Sequence, residues 1–274
     1  MTQKIAIQGV KGSFHEQVVR EYFEFTPKLM ECINFDTLAR AVAQGDCDQA
    51  VMAIENSIAG SILPNYALMD QYGLIITGEY YLNIDLNLMA LPGQKIEDIQ
   101  EVHSHPMALL QCKKFFFNYP HIKLVESHDT AKEALDISKK MAMAKGAIAG
   151  KRAAQIYGLE VLSPSIQSIK SNVTRFVIVQ KEAIDKQNKF TKAAWKFVLD
   201  HKRGSLATAL NIVNDCNLNL TKIQSLPVIE TPGKYAFFVD VTFCDLNDYF
   251  KAKSRIEIMA TAFKVLGEYT SGKS

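Results

Sequence analysis

Asn172-Val173-Thr174-Arg175-Phe176 puts an amide, a hydroxyl, a guanidinium and an aromatic ring into five residues, just before the apolar run Val177 to Val179. Such a set can hold a carboxylate, supply a proton and press against a ring-shaped substrate; a plain strand entry with a surface arginine is the alternative. Glu55-Asn56-Ser57 directly follows the apolar segment Ala50 to Ile54. Three polar side chains therefore sit at the carboxyl end of a strand, the edge where open α/β sheets bind ligands. Gly60 and Ser61 keep the backbone close, although a helix cap would need only one of the three polar groups. The turn Gly9-x-x-Gly12-Ser13 runs from a strand into a helix. Its free backbone N–H groups and the positive helix end suit a carboxylate or phosphate.

Two other patterns carry less. Gly267-Glu-Tyr-Thr-Ser-Gly272-Lys273-Ser274 satisfies the P-loop spacing, but that loop must lead into a helix and no residue follows Ser274 to form one. His103 and His105 could share one face of a strand and grip a metal. No third ligand lies at a suitable spacing, so ordinary strand-end hydrogen bonds are expected, and no metal site. No Ser/His/Asp triad can be assembled.

The elements that would position these groups alternate. Lys4 to Gln8 reads as a strand, and Ser13-x-x-Glu16 as a capping box opening the next helix. Thr37 to Gln44 is helical and Gln49 to Ile54 a buried strand. Leu74 to Tyr81, Leu86 to Leu91, Glu101 to His103, Leu124 to Glu126 and Gly146 to Ala149 read as strands. Helices are expected from Pro106, over Thr130 to Lys145 and over Lys151 to Tyr157. This alternation predicts parallel sheets covered by helices, as two sheets with a cleft between them. A lysine-rich polar stretch follows, and 182–193 is the expected linker between a region at 1–181 and a module at 194–274. The module reads strand Ala194 to Leu199, helix Ser205 to Asn214, strands Leu220 to Pro227 and Tyr235 to Phe243, helix Asn247 to Ala262, strand Phe263 to Glu268. That βαββαβ order is ferredoxin-like, with a hairpin at Thr231-Pro232-Gly233-Lys234.

Composition sets the outer bounds. The 274 residues are 48% hydrophobic and 22% charged, with a net charge of +2. That excludes wholesale disorder and any broad basic field for nucleic acid. The longest apolar runs are five residues, where a membrane span needs about 20. The N-terminus has no signal-peptide core, and the five cysteines are odd in number with no C-x-x-C pair. A cytoplasmic protein with buried thiols, and no membrane or nucleic-acid partner, is expected.

The sequence resembles the prephenate dehydratases over nearly its whole length. The resemblance rests on Gly9-x-x-Gly12-Ser13-Phe14, Ile54-Glu55-Asn56-Ser57-x-x-Gly60-Ser61, Ser104-His105-Pro106 through Gln111-Cys112, Ala147-Ile148-Ala149 with Ala153-Ala154-x-x-Tyr157-Gly158-Leu159, and Asn172 to Phe176, all in the family's order. The module resembles a regulatory ACT domain, most clearly at Asn219-Leu220-Thr221-x-Ile223. The family's regulatory Gly-Ala-Leu is Gly204-Ser205-Leu206 here, and its Glu-Ser-Arg-Pro is Gln224-Ser225-Leu226-Pro227, without either charge. No chorismate mutase helices precede Met1, which suggests a monofunctional chain.

The resemblance implies a catalytic region like the type II periplasmic binding proteins, its active site in the cleft between two lobes. It also implies decarboxylating dehydration of prephenate to phenylpyruvate with no cofactor. Thr174, Arg175, Phe176 and Glu55 would be catalytic: Arg175 clamping a carboxylate, and Thr174 or Glu55 assisting departure of the hydroxyl. Ser13, Phe14, Asn56, Ser57, Ser104, Gln111 and Asn172 would bind substrate. Phenylalanine would act as effector at Gly204, Ser205, Leu206, Asn219, Gln224, Ser225, Leu226 and Pro227 of a homodimer or homotetramer. Arogenate dehydration and non-enzymatic amino-acid sensing are the competing functions.

Overall fold

The computed structural model describes residues 3–182, 189–228, 231 and 233–272. Residues 183–188 of the expected linker, Pro232 of the hairpin turn and Lys273-Ser274 of the P-loop pattern lie outside them. In chain order the elements are β1 (Lys4–Gln8), α1 (Phe14–Tyr22), β2 (Lys28–Cys32), α2 (Phe35–Gln44), β3 (Gln49–Asn56), β4 (Gly60–Ser61), α3 (Leu63–Gln71) and β5 (Ile75–Asn83). Then come β6 (Asn87–Ala90), β7 (Glu101–Ser104), α4 (Pro106–Cys112), β8 (Lys123–Glu126), α5 (Thr130–Lys140), β9 (Lys145–Ala149), α6 (Lys151–Tyr157), β10 (Glu160–Ser163) and β11 (Val173–Gln180). The last six are β12 (Lys192–Val198), α7 (Ser205–Asp215), β13 (Asn219–Pro227), β14 (Tyr235–Thr242), α8 (Leu246–Met259) and β15 (Ala262–Tyr269).

The chain forms two compact units: Met1–Ile62 with Tyr80–Phe176, and Leu63–Glu79 with Val177–Ser274. The first holds two sheets built on one plan. One runs β2-β1-β3-β11-β5 and the other β8-β7-β9-β6-β10. In each, a central strand pairs in parallel with two neighbours: β1 with β2 and β3, β7 with β8 and β9. Next to them lies a strand that arrives from the other sheet. The chain crosses between the sheets twice, once after β5 and once before β11. This is the two-lobed, type II arrangement expected. Lobe cores are small and apolar: β1 and β3 bury Ile5, Ile7, Val51 and Ile54, and Ala147, Ala149 and Ala153 let α5 and α6 lie close on the second sheet. Parallel strands covered on both faces need such near-continuous apolar runs.

Several boundaries differ from expectation. The helix from Thr130 stops at Lys140 because Met141 turns left-handed, φ +48°, and its N–H closes back on the Ile137 and Ser138 carbonyls. No glycine announces that stop. Strands β2 and β10 and helix α3 were not expected. β2 pairs only with β1, at the end of its sheet, and carries Lys28 and Glu31. α3 opens Leu-Pro-Asn and buries Asn65, Tyr66 and Met69 without a single apolar stripe.

The second unit contains the βαββαβ module, with sheet order β13-β14-β12-β15 and antiparallel pairing throughout. Trp195, Tyr249, Phe197 and Ile256 fill its core, with Tyr249 stacked on Phe243 at 4.7 Å. Lys192 and Ala193 already belong to β12, so the expected linker runs two residues too far. The module also takes in Leu63–Glu79, which a boundary at 181 assigns elsewhere. Ile76 of β5 pairs in parallel with Gly267 of β15. Glu79 is fully buried and bridges Lys192 at 2.8 and 3.0 Å and the Gly272 N–H at 2.9 Å. Asp70 holds both Lys196 and Lys264. Gly267 itself lies in strand β15, not in a phosphate-binding loop.

Candidate active site

Between the lobes of the first unit is a cavity of about 360 Å³. Its walls come from five places: Ser13, Phe14 and His15 at the start of α1, Asn56 at the end of β3, Thr174 and Phe176 on β11, His105 capping α4 with Gln111 inside it, and Asp129 before α5. Ile84 and Leu86, on the first crossover, add apolar surface.

The glycine turn brings the lobes together. Gly12 sits at φ +84°, and a Cβ there would stand 3.0 Å from the Ala153 Cα. Gly9, at φ +89°, would drive a Cβ to 2.3 Å from an Asp129 carboxylate oxygen. Both conformation and space therefore require glycine. Ser13 caps α1, its Oγ accepting the Glu16 N–H at 3.3 Å. The capping box is only half made, because the Glu16 carboxylate accepts from Arg152 Nε at 2.9 Å on the opposite lobe.

A polarised chain of side-chain amides lines the site. Asn56 Oδ1 accepts the backbone N–H groups of Ile58 and Ala59 at 3.0 and 2.9 Å. That fixes the amide, so Nδ2 must donate, and it does so to Asn172 Oδ1 at 2.7 Å and Thr174 Oγ1 at 2.9 Å. With its oxygen accepting, Thr174 retains its own proton to donate. Asn172 passes the polarity on, donating to Gln111 Oε1 at 2.9 Å. Gln111 is left with its Nε2 donors on the cavity wall.

Charge in the cavity comes from few groups. Burial raises the Asp129 pKa from its ordinary value, outweighing the N–H groups of Lys132 and Ala131 that it accepts. Burial lowers His105, whose Nδ1 accepts the Met107 N–H at 3.3 Å. His15 is held down to about 3 by burial alone. The helices α1, α4 and α5 all begin at this wall, and their N-terminal dipoles favour an anion there.

The expected site residues divide. Ser13, Phe14, Asn56, Gln111, Asn172, Thr174 and Phe176 meet around the cavity. Arg175 does not line it. Successive strand residues face opposite ways, so Arg175 leaves the face of Thr174 and Phe176 and lies buried, 3.9 Å from the partly exposed Glu55. Glu55 is likewise off the cavity wall. Ser57 serves the backbone, accepting the Val173 N–H at 3.0 Å and donating to the Ser171 carbonyl. Ser104, fully buried, donates to the Ile148 carbonyl at 2.7 Å. Arg175, Glu55, Ser57 and Ser104 thus stand off this cavity wall. His103 turns to Glu101 and Glu133, away from any shared face with His105. His15 and Asp129 are wall residues that the sequence reading missed; for His15, its place directly after Phe14 in the turn-to-helix motif was the available signal.

In the second unit, Gly204 precedes α7, and Ser205 and Leu206 line a cavity of about 240 Å³ with His201, Lys202, Tyr235 and Phe237. Asn219 and the run Gln224, Ser225, Leu226 and Pro227 lie on β13, at the end of the sheet order, and do not line that cavity.

Two matched α/β lobes around a donor-lined cavity, with a ferredoxin-like module in the same chain, define a two-lobed α/β fold with a ligand-sized inter-lobe cavity. The prephenate dehydratase family profile matches residues 5–184. The chain belongs to the prephenate dehydratase family and is an enzyme of that type. Arogenate dehydratase 2 of Petunia hybrida is 36% identical across 98% of this chain and 72% of its own length. Among solved structures, prephenate dehydratase of Staphylococcus aureus superposes with a TM-score of 0.84 at 27% identity, covering 98% of this chain and all of that one. Prephenate dehydratase of Arthrobacter aurescens in complex with L-Phe superposes with a TM-score of 0.88 at 25% identity, covering 98% of this chain and 90% of that one.

Proposed function

We propose that this enzyme converts prephenate to phenylpyruvate at the inter-lobe cavity, with Thr174 as the group that meets the departing hydroxyl. The observation that carries the reading is the Asn56–Thr174 hydrogen bond, which leaves the threonine proton directed away from Asn56. As the ring carboxylate leaves as CO2, its bonding electrons enter the ring and expel the hydroxyl at the opposite ring carbon. That oxygen takes up one proton, drawn ultimately from solvent, and departs as water. A donor fixed in advance stabilises the charge growing on it. Phe176 offers the ring a wall, and the free N–H groups of Phe14 and His15 at the head of α1 suit a substrate carboxylate.

Residues 1–181 carry this reaction in our reading, and 194–274 act as an ACT domain. Phenylalanine regulation is supported by the L-Phe complex of the Arthrobacter relative. The effector would meet Gly204, Ser205 and Leu206 on one chain and Asn219 and Gln224 to Pro227 of a neighbouring chain, in a homodimer or homotetramer. Gln224 and Leu226 bring no charge, so binding is weaker than a charged pair would give. Among the described residues no helix is long and apolar enough to cross a membrane, and we place the enzyme in the cytoplasm.

The Petunia relative makes arogenate the alternative substrate. Purified protein mixed with each substrate in parallel decides between them. Phenylpyruvate absorbance from prephenate at a higher kcat/KM than phenylalanine formation from arogenate is expected. The reverse order overturns the preference, and turnover of neither overturns the enzyme assignment.

A further inference from the structure

The cavity wall contains a buried imidazole whose ring the reaction leaves unused. His15 lies in the first turn of α1, 8% exposed, between Phe14 and Glu16. Its ring stands perpendicular to Phe176, centroids 5.0 Å apart, and is tilted against Phe35 at 5.5 Å. Nε2 is buried and bonds no described residue. Buried polar atoms are nearly always satisfied, and those that are not call for a partner supplied by something else.

We propose that His15 contacts the substrate, its neutral imidazole donating one hydrogen bond to an oxygen of the bound dianion; this rests on the dehydratase reading above. Three observations agree. The residue lines the same cavity as Thr174, Gln111 and Asn172. It touches Phe176, so a ring held against that phenylalanine comes within reach of the imidazole. The substrate's polar atoms are two carboxylates, a keto oxygen and a hydroxyl, nearly all of them acceptors, so a neutral imidazole complements them as a donor. Burial keeps the ring uncharged at neutral pH, which makes it a directional donor and not a counter-ion.

His15→Phe preserves the ring contacts and removes both nitrogens, and His15→Gln restores a donor near the Nε2 position. Expected for His15→Phe are a Tm equal to or above that of the natural protein and a fall in kcat/KM for prephenate of at least tenfold. His15→Gln should recover part of that loss. A folded His15→Phe enzyme within twofold of the natural kcat/KM overturns the proposal. A ring-nitrogen NMR titration of the unaltered protein with phenylpyruvate covers the case where the variants do not fold. A shift of the His15 signal supports the contact, and its absence at saturation refutes it. Turnover by the unaltered protein is measured in the same assay, so loss of the dehydratase reading and loss of the His15 role are told apart.

Discussion

A threonine hydroxyl becomes a directed donor only when another group occupies its oxygen, and Asn56 does that here. Thr174→Val keeps the volume and removes the hydroxyl. A drop in kcat of about a hundredfold or more is expected, within the usual range for one positioned proton-transfer or oxyanion group, with KM little changed. Steady-state assay of phenylpyruvate formation checks it, and a kcat near the natural value would remove Thr174 from the mechanism. His15 adds a pH signature. Burial holds its pKa down to about 3 in the folded chain, against about 6.5 for a solvated imidazole. Between those values the unfolded chain binds the proton and the folded one does not, so stability is full above pH 6.5 and declines as pH falls toward 3. His15→Phe should flatten that decline, as read from Tm against pH for the two proteins. The motif reading brought Thr174, Phe176, Asn56 and Asn172 to one cavity wall because chemistry and position lie close together in the sequence. Arg175, grouped with them, lies on the other face of the strand, as strand alternation requires.

Among the elements, α5 carries a correctable weakness. Met141 ends it at φ +48° with its side chain 70% exposed. Glycine at that point would lose the Cβ clash and no packing, so Met141→Gly should stabilise by about 0.5–1 kcal/mol. Chemical denaturation resolves a change of that size, and unchanged or lower stability would refute it. The helix was legible in its caps and apolar spacing, but its end was not, since a methionine gives no stop signal. Strand β2 and helix α3 were hidden for a related reason. Their order comes from neighbours distant in sequence, β1 for one and the module for the other, and no local periodicity records that.

For the whole molecule, the buried pair Glu79–Lys192 ties a segment early in the chain to a strand late in it. Both side chains are almost fully buried, 0% and 3% exposed. Removing one partner leaves an uncompensated charge, so Lys192→Met should cost about 3–5 kcal/mol, while Glu79→Leu with Lys192→Met should recover much of it. Urea denaturation of the three proteins tests this; equal stability of single and double variants would show that the pair is not coupled. The βαββαβ order of the module could be read from its strand and helix spacing. Its hold on Leu63–Glu79 could not, because a lone glutamate within a strand gives no hint of a lysine 113 residues away.

That discontinuity bears on the order in which the protein is made. Translation delivers Leu63–Glu79 well before its partners: Ile76 must wait for Gly267, and Glu79 for Lys192 and Gly272. Until the last strand leaves the ribosome, the second unit cannot close, and Tyr66, Met69 and the Glu79 carboxylate remain in water. Pairings so far apart in sequence are slow to form. The nascent enzyme therefore completes this unit only once β15 has been made, and a ribosome stalled short of residue 267 would hold a chain whose β5 has no β15 to pair with.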